Sequence, residues 1–392
     1  MPIKRKRMQA TKILQALKDD NNLRTLQDIQ HDGIYIIKDN KRMLNLSSND
    51  YLGIATDREL REEFFDTIDK ESLLLGSTSS RSLSGNYRIF TQLEDYIAAQ
   101  FSNKSCLLFN SGYHLNISCM QALSEFSNVL FVVDKFVHAS IIDGLRLGGK
   151  RFMRYAHNDM QSLASILEKT HDQYESIIIV SEGLFSMDGD LAQLDSLCAF
   201  KQQYSNVMLY LDEAHSVGVF GENGLGLASL GYENSIDFLV YTFGKAIGSF
   251  GACMICSPHL KDFFINKARG FIYSTAIAPI NVAWNLFVFQ KLKSMQNRRK
   301  HLLNLSELLR KECAKYNIRL MGEAQILSLI AHTNENALLL ADKLSHKGFF
   351  APAIKTPSVP PNTARLRISL TSNMQEEMMI EIVSVLNANR II

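Results

Sequence analysis

The sequence has 392 residues, with 42 Lys and Arg against 40 Asp and Glu, so its formal net charge is only +2. Hydrophobic residues make up 46% and charged residues 21%, a balance typical of a globular protein with a large core. Such a charge gives no general attraction to nucleic acid or to a membrane surface, so we expect small molecules or another protein chain as partners.

The chain exceeds the usual size of a single core, which predicts a large domain and a smaller one. Six scattered cysteines are too few for a disulfide framework and favour a reducing, cytoplasmic setting. Cys253 and Cys256 form a C-x-x-C, but they lie in a buried-strand pattern without a second ligand pair, so we expect no metal site. No window approaches the roughly 20 apolar residues that span a bilayer, so we expect no membrane segment.

Residues 1–55 predict an N-terminal arm. The opening "MPIKRKRMQA" is basic, but the charged, amphipathic "TKILQALKDD" follows it where a signal peptide needs an apolar run. We therefore expect an amphipathic helix and no export signal. The segment "GIYIIKDNKRMLNLSSND" at 33–50 then predicts a hairpin-like piece leading into the main domain.

Residues 56–278 predict a large α/β domain around a mostly parallel sheet. Amphipathic stretches such as 159–169 and 191–204 alternate with short apolar runs, a rhythm typical of that architecture. The runs are "CLLFN", "NVLFVVD", "SIIIVSEG", "VMLYLDEAH" and "IDFLVYTFGK". Residues 279–392 begin with a long helical pattern and continue with mixed short strands and helices, which predicts a smaller C-terminal α/β domain.

Polar residues follow each apolar run, and ligands of such sheets bind at the carboxyl ends of the strands. We therefore expect these residues to converge on one edge of the sheet. They are Ser111 and Gly112, Asp134, Ser181 and Glu182, Asp212 to His215, and Thr242 to Lys245.

The strand ending in Asp-Glu-Ala-His at 212–215 suggests a nucleotide-dependent protein with a magnesium-binding box. That function requires an upstream G-x-x-x-x-G-K-[ST] loop, whereas the comparable Gly-Lys at 244–245 lies downstream and is followed by Ala246. A dinucleotide-binding fold is also disfavoured, because no run opens into a G-x-G-x-x-G turn.

The same residues suit pyridoxal phosphate better. That cofactor needs a lysine for its aldehyde, an acid beside its pyridine nitrogen and donors for its phosphate. Lys245, Asp212 and a bond from His215 to the phenolic oxygen would meet the first needs. Lys245 stands between glycines in an apolar segment, where partial desolvation lowers the pKa of an amine and makes it a competent nucleophile. Taken singly, each of these residues also suits an ordinary structural position.

The segment "FNSGYHLN" at 109–116 offers a strand, a Ser-Gly turn and a helix start, whose free N–H groups would face an anion. Gly112 and Tyr113 are the predicted backbone donors to the phosphate, and Thr242 adds a hydroxyl. His138, just beyond another strand, would stack on the cofactor ring.

In order and spacing, the motifs "LNLSSNDYLG", "GSTSSRSLSGN", "LFNSGYHLN", "SEGLFSMDGD", "LDEAHSVGVFGENGLG", "TFGKAIG" and "IYSTAIAP" resemble the pyridoxal-phosphate-dependent α-oxoamine synthases. The resemblance extends from about residue 10 to the end of the chain. It implies a fold-type I transferase like aspartate aminotransferase, with its active site at a homodimer interface. These enzymes condense an amino acid with an acyl thioester and release carbon dioxide.

Within the family, "FMRYAHND" at 152–159 and the segment 354–371 favour the member that joins L-alanine to a pimeloyl thioester in biotin synthesis. Two alternatives stay open, the ligase acting on 2-amino-3-oxobutyrate and a serine palmitoyltransferase. The sequence does not distinguish coenzyme A from a carrier protein as the acyl carrier.

The resemblance also implies roles for individual residues. Lys245 would bind the cofactor covalently, Asp212 would pair with the pyridinium, His215 with the phenolate, and His138 would stack on the ring. Further cofactor contacts would be Gly112, Tyr113, Ser186 and Thr242, with Ser274 and Thr275 reaching the phosphate of the neighbouring subunit. Arg367 would bind the amino-acid carboxylate, and Arg24 and Ser358 the acyl substrate. The sequence departs from the family at Ser79, where glycine is frequent, and at Lys355, where arginine is common.

Overall fold

The computed structural model describes residues 2–69 and 73–388, with side chains from residue 9 onward. The predicted domain ranges also include residues 1, 70–72 and 389–392, which lie outside the described residues. The chain divides into two compact units. The larger unit holds residues 49–186 and 190–302, and the smaller unit holds residues up to 48, 187–189 and from 303 onward.

The helices of the described chain are, in order, α1 (Pro2–Asp19), α2 (Arg58–Thr67), α3 (Arg88–Ala98), α4 (Gly112–Leu123), α5 (Ala139–Gly148), α6 (Met160–Thr170), α7 (Leu194–Gln203), α8 (Pro258–Lys267), α9 (Arg269–Ile272), α10 (Pro279–Lys291), α11 (Gln296–Lys315), α12 (Asn334–His346) and α13 (Glu376–Ala388). None of the helices within this part of the chain is both long and apolar enough to cross a bilayer.

The strands of the described chain are β1 (Gln30–Asp32), β2 (Tyr35–Lys38), β3 (Lys41–Asn45), β4 (Ser105–Phe109), β5 (Val129–Asp134), β6 (Phe152–Tyr155), β7 (Ser176–Glu182), β8 (Val207–Asp212), β9 (Phe238–Thr242), β10 (Ala252–Cys256), β11 (Ile326–His332), β12 (Phe349–Phe350), β13 (Ala353–Ile354) and β14 (Ala364–Ser369).

The larger unit is built on a seven-stranded sheet in the order β4-β10-β9-β8-β7-β5-β6. All pairs from β9 to β6 are parallel, and β10 pairs antiparallel with both of its neighbours. The strands β5, β9 and β10 are buried throughout, because both faces of a parallel sheet are covered by other elements. This arrangement confirms the predicted α/β fold with a mostly parallel sheet.

The smaller unit contains two sheets. One has the order β1-β2-β3-β12, in which the hairpin strand β3 pairs in parallel with β12 from the C-terminal part of the chain. The other is the antiparallel sheet β11-β14-β13. Because β3 and β12 share a sheet, the N-terminal segment belongs to the same compact unit as the C-terminal residues. The three-part division at residues 55 and 278 stays a prediction about domains.

The core of the larger unit packs around one face of its sheet and the helices α4 and α5. It contains Leu107, Val133, Val180, Tyr210 and Val240 from five different strands. All six cysteines are free and buried, and Cys253 and Cys256 lie in β10 as the sequence predicts. The core therefore anchors the strands of this sheet from one face.

Candidate active site

A cavity of about 270 Å³ opens at the carboxyl ends of the parallel strands in the larger unit. The strands β7, β8 and β9 end in Glu182, Asp212 and Thr242, and β4 runs on into Ser111. The lining residues are Asn49, Ser111, Gly112, Tyr113, Asn116, His138, Glu182, Asp212, Ala214, His215, Thr242, Gly244, Lys245, Phe250 and Gly251. The cavity is therefore at the edge of the sheet where ligands of such folds bind.

One wall of the cavity is the N-terminus of α4. The hydroxyl of Ser111 caps this helix by accepting from the N–H of His114 at 3.2 Å. The N–H groups of Gly112 and Tyr113 lie in the first turn and therefore have no helical partners. Thr242 Oγ1 is buried and has no hydrogen-bond partner among the described residues. A Cβ on Gly112 would lie 2.4 Å from Thr242 Cγ2, so only glycine fits this close approach. The wall thus offers three donors to an anion.

Asp212 is 4% exposed, and both of its carboxylate oxygens accept hydrogen bonds. Oδ1 accepts from the N–H of Ala214 at 3.0 Å, and Oδ2 accepts from Asn116 Nδ2 at 2.8 Å. Together these two bonds fix the direction of the carboxylate. Asp212 is thereby held at the base of the cavity as an oriented acceptor.

His215 is buried beside Asp212, and Tyr51 holds its ring. The hydroxyl of Tyr51 lies 2.6 Å from His215 Nδ1 and also donates to Asn49 Oδ1 at 3.0 Å. Tyr51 is fully buried, so the cavity has an anchored imidazole on this side.

His138 caps α5 on the opposite side of the cavity. Its Nδ1 lies 2.7 Å from Ser140 Oγ and accepts from the backbone N–H of Ser140 at 3.3 Å. The backbone N–H of His138 donates to Glu182 Oε1 at 2.6 Å. The pKa of the His138 imidazole is lowered, chiefly by burial. The carboxylate of Asp212 acts to raise this pKa, and the nearby Lys245 ammonium acts to lower it. The ring is therefore neutral at neutral pH.

Glu182 is a buried carboxyl group that the sequence analysis assigned to the edge without a role. Burial raises its pKa to about 8, and the charge of Asp212 adds to this rise, whereas Lys245 opposes it. Near neutral pH this carboxyl group therefore holds a proton much of the time.

Lys245 lies in the turn between β9 and β10 and is half-buried. The N–H of Gly248 donates to the Lys245 carbonyl at 2.8 Å, and Gly248 has φ +63°, a conformation that favours glycine. The glycines near Lys245 thus close a tight turn that directs the chain back into the antiparallel β10. This position places Lys245 in the wall of the cavity.

Other expected members of the edge do not line the cavity. The expectation that Asp134 joins the cavity edge is wrong. Asp134 ends β5, but its carboxylate lies 2.8 Å from His157 Nδ1 and accepts from the N–H of Asn158. Burial alone would lower the pKa of His157, but its hydrogen bonds to Asp134 and Asp190 raise it to about 10. Ser181 is also outside, because successive side chains of a strand point to opposite faces.

The remaining acid of the Asp-Glu-Ala-His segment, Glu213, is not in the cavity either. Its oxygens accept from the N–H groups of Leu227 at 2.7 Å and Ala228 at 2.5 Å, and from the hydroxyl of Ser216. Burial raises its pKa to about 7. This carboxyl group therefore holds a loop together, and it is not available to a magnesium ion at the strand end.

The sequence-predicted cofactor residues are placed in two groups. The cavity brings together Gly112, Tyr113, His138, Asp212, His215, Thr242 and Lys245. Ser186, Ser274 and Thr275 do not line it. Asn110, next to the cavity wall, donates to Ser274 Oγ at 2.9 Å and to the carbonyl of Thr275 at 2.8 Å.

In the smaller unit, the two residues predicted to contact an acyl substrate lie side by side. Arg24 Nη2 donates to Ser358 Oγ at 3.1 Å, although 334 residues separate them. Lys355, the departure from the family, donates to the carbonyl of Asn21. Arg367 is half-buried in β14, and the neighbouring Arg365 is paired with Asp188 at 2.6 Å. The other departure, Ser79, belongs to the larger unit. It has no positive φ, and its carbonyl accepts from the N–H of Ala276 at 2.9 Å.

The sequence analysis gave no role to Tyr51, Asn49 or Asn116. Tyr51 and Asn49 belong to "SSNDYLG", which carried the resemblance but no chemical role. Asn116 is four residues after Gly112 in α4, so it lies on the same helix face. That spacing is the signal that could have identified it.

Comparison with known proteins agrees with this geometry. Residues 41–386 match the family described as aminotransferase class I and II. A protein from Glaesserella parasuis, named as a candidate 8-amino-7-oxononanoate synthase, is 44% identical over 378 residues, covering 96% of this chain and 99% of its own. The match therefore extends over both compact units.

Solved structures show the same fold. Serine palmitoyltransferase from S. paucimobilis superposes with a TM-score of 0.87 at 23% identity, covering 97% of this chain and 96% of that one. The 8-amino-7-oxononanoate synthase of Francisella tularensis has a TM-score of 0.73 at 26% identity, covering 88% and 97%. The chain belongs to the class I and II aminotransferase family and, within it, to the 8-amino-7-oxononanoate synthases.

Proposed function

We propose that this protein condenses L-alanine with a pimeloyl thioester and yields 8-amino-7-oxononanoate, carbon dioxide and a free thiol, a step of biotin synthesis. The observation that carries the proposal is the cavity in which Asp212, His215 and Lys245 face the free N-terminus of α4. The near full-length identity to 8-amino-7-oxononanoate synthases supports the choice of substrates.

Pyridoxal phosphate is the cofactor of this enzyme class, and the cavity residues fit it. The N–H groups of Gly112 and Tyr113 suit its phosphate, as does the hydroxyl of Thr242, which has no partner within the described part of the chain. Asp212 would hold the proton on the pyridine nitrogen, and Lys245 would bind the aldehyde. When bound, the cofactor supplies an aldehyde that joins an amine and a ring that takes up electrons from the adjacent carbon.

Each residue at the site would then have its own role in the reaction. Lys245 would accept the α-proton of alanine, and Asp212, by holding the proton on the pyridine nitrogen, would let the ring take up the electrons left at Cα. A bond would form between the alanine Cα and the thioester carbonyl carbon, and the C–S bond would break to release a thiolate that takes a proton from solvent. The carboxylate of alanine would then leave as carbon dioxide. A proton returns to Cα from Lys245. We retain Arg367 as the carboxylate contact, and Arg24 and Ser358 as acyl contacts.

A substrate matrix tests this function. Purified protein loaded with pyridoxal phosphate is assayed with alanine, glycine and serine against acetyl, pimeloyl and palmitoyl thioesters. We expect the largest kcat/KM for alanine with the pimeloyl thioester, and yellow protein that keeps its colour after desalting. A preference for glycine with acetyl or for serine with palmitoyl groups would assign the chain to another α-oxoamine synthase. Colourless protein that binds no pyridoxal phosphate would end the proposal.

We further propose a homodimer in which Ser274 and Thr275 complete the phosphate site of the neighbouring subunit. Asn110 holds both residues close to the end of β4, so a two-fold partner could use them at its own cavity. The expected result is that mixed dimers of a Lys245→Ala chain and a chain carrying Ser274→Ala and Thr275→Ala are more active than either parent. One site of each mixed dimer regains all intact parts. No gain after verified subunit exchange would refute the shared site.

We place the enzyme in the cytoplasm. The buried, unpaired state of the six cysteines supports a reducing compartment, since free thiols persist there. The acyl thioesters of the proposed reaction would be drawn from the same compartment.

A further inference from the structure

Buried side chains connect the two sides of the cavity beneath its surface. Asn116 is 2% exposed, and its Nδ2 donates to Asp212 Oδ2 at 2.8 Å and to Ser140 Oγ at 3.0 Å. Its Oδ1 accepts from the hydroxyl of Tyr210 at 2.6 Å. A carboxylate can only accept, so the amide nitrogen must face Asp212. The partners of Asn116 therefore fix its orientation and use both of its amide hydrogens.

Ser140 stands between Asn116 and His138 and is fully buried. Its Oγ lies 2.7 Å from His138 Nδ1. Because the hydrogen of the Asn116 contact comes from the amide, the hydroxyl hydrogen of Ser140 is left to donate to Nδ1. The backbone N–H of Ser140 points to the same nitrogen at 3.3 Å. His138 Nδ1 thus faces two donors and must act as an acceptor.

We propose that Asn116 and Ser140 are positioning residues that hold His138 as the neutral tautomer with its hydrogen on Nε2. His138 then serves the reaction as a hydrogen-bond donor, because its only hydrogen-bearing nitrogen is the one outside this network. Burial, which disfavours the imidazolium, acts in the same direction. The identity of the acceptor rests on the proposed function: the carbonyl oxygen of the acyl thioester is the atom on which negative charge develops.

A histidine beside a reacting carbon can act both as a hydrogen-bond donor and as a base, and this assignment leaves His138 only the first role. A neutral imidazole with Nδ1 engaged by two donors has no lone pair free on Nε2 to accept a proton. His138 therefore donates, and proton abstraction stays with Lys245. The Asn116 amide that orients Asp212 also sets the tautomer of His138 through Ser140. One side chain therefore positions groups on both sides of the cavity.

Nitrogen NMR tests the tautomer directly. In protein labelled with ¹⁵N-histidine, long-range proton–nitrogen correlations distinguish a protonated from an unprotonated ring nitrogen, and the His138 signals are those lost in His138→Gln. We expect a protonated Nε2 and an unprotonated Nδ1 at about pH 7.5, with and without pyridoxal phosphate. A hydrogen on Nδ1, or an imidazolium, would overturn the proposal. The measurement needs no turnover, so failure of the proposed function would leave this result unaffected.

Two serine variants separate positioning from packing. Ser140→Ala removes the hydroxyl donor, and we expect a mixture of tautomers and a fall in kcat of about tenfold, with the KM for alanine changed by less than about twofold. Ser118→Ala is the matched control, since Ser118 is an equally buried serine of α4 whose hydroxyl donates to the His114 carbonyl at 2.6 Å. This control should leave tautomer and kcat unchanged. An unchanged tautomer in Ser140→Ala, or equal losses in both variants, would contradict the positioning role.

Discussion

Lys245→Ala is expected to reduce the condensation of alanine and the pimeloyl thioester by about 10⁴-fold or more, because the variant lacks both the covalent anchor and the base. The phosphate donors of Gly112, Tyr113 and Thr242 are untouched, so the variant should still bind pyridoxal phosphate reversibly. The measurements are carbon dioxide release and cofactor retention on desalting.

Lys104→Ala is the matched control for this variant. Lys104 is another partly buried lysine, its pKa lowered by burial, and its Nζ donates to the Ile236 carbonyl at 2.7 Å. It does not line the cavity, so its loss should affect stability while turnover per folded molecule is retained. Near-normal carbon dioxide release by Lys245→Ala, or an equal loss in Lys104→Ala, would show that the lysine assignment is wrong.

Asp212→Asn is expected to lower kcat by about 10²–10³-fold, with a smaller effect on alanine binding. A neutral amide cannot keep the pyridine nitrogen protonated, so electrons from the alanine Cα are no longer drawn into the ring. The carboxylate contact of alanine is a separate interaction and is preserved. The direct measurement is exchange of the alanine α-proton in deuterated buffer, which should slow with kcat.

Asp237→Asn controls for the loss of a hydrogen-bonded carboxylate next to the same sheet. Asp237 precedes β9 at the opposite end of the strand, where it pairs with Lys201 at 2.6 Å and accepts from the N–H of Leu209. This variant should lose stability and keep its proton exchange rate per folded molecule. If Asp212→Asn exchanged the α-proton as fast as the unchanged protein, Asp212 would have no role at the cofactor ring.

Much of the fold follows from local patterns, since each apolar run of the large domain lies in a strand of the observed sheet. The short β6 was not predicted as a strand, because "FMRY" mixes apolar and polar residues and lacks a continuous apolar run. The reversed direction of β10 could not be predicted from its composition. A fully buried strand is apolar whether its neighbours run parallel or antiparallel.

The candidate site was predictable where chemistry and chain position coincide, as for Asp212, His215 and Lys245 at the ends of strands. Their supports were not. Tyr51 meets His215 across 164 residues, and Asn116 meets Asp212 across 96. Such pairs form only through tertiary packing. Neither hydrophobic periodicity nor a turn motif indicates which distant side chain will contact a given site residue.

The contact between Tyr51 and His215 also sets a condition on how the protein is synthesised. The ribosome makes Tyr51 164 residues before its partner, and the lysine of the cavity follows later still. A hydroxyl that is fully buried in the finished chain therefore remains in water during much of translation. The nascent chain cannot complete the cavity until β9 and the turn after it have emerged, so full cofactor binding has to follow the synthesis of Lys245.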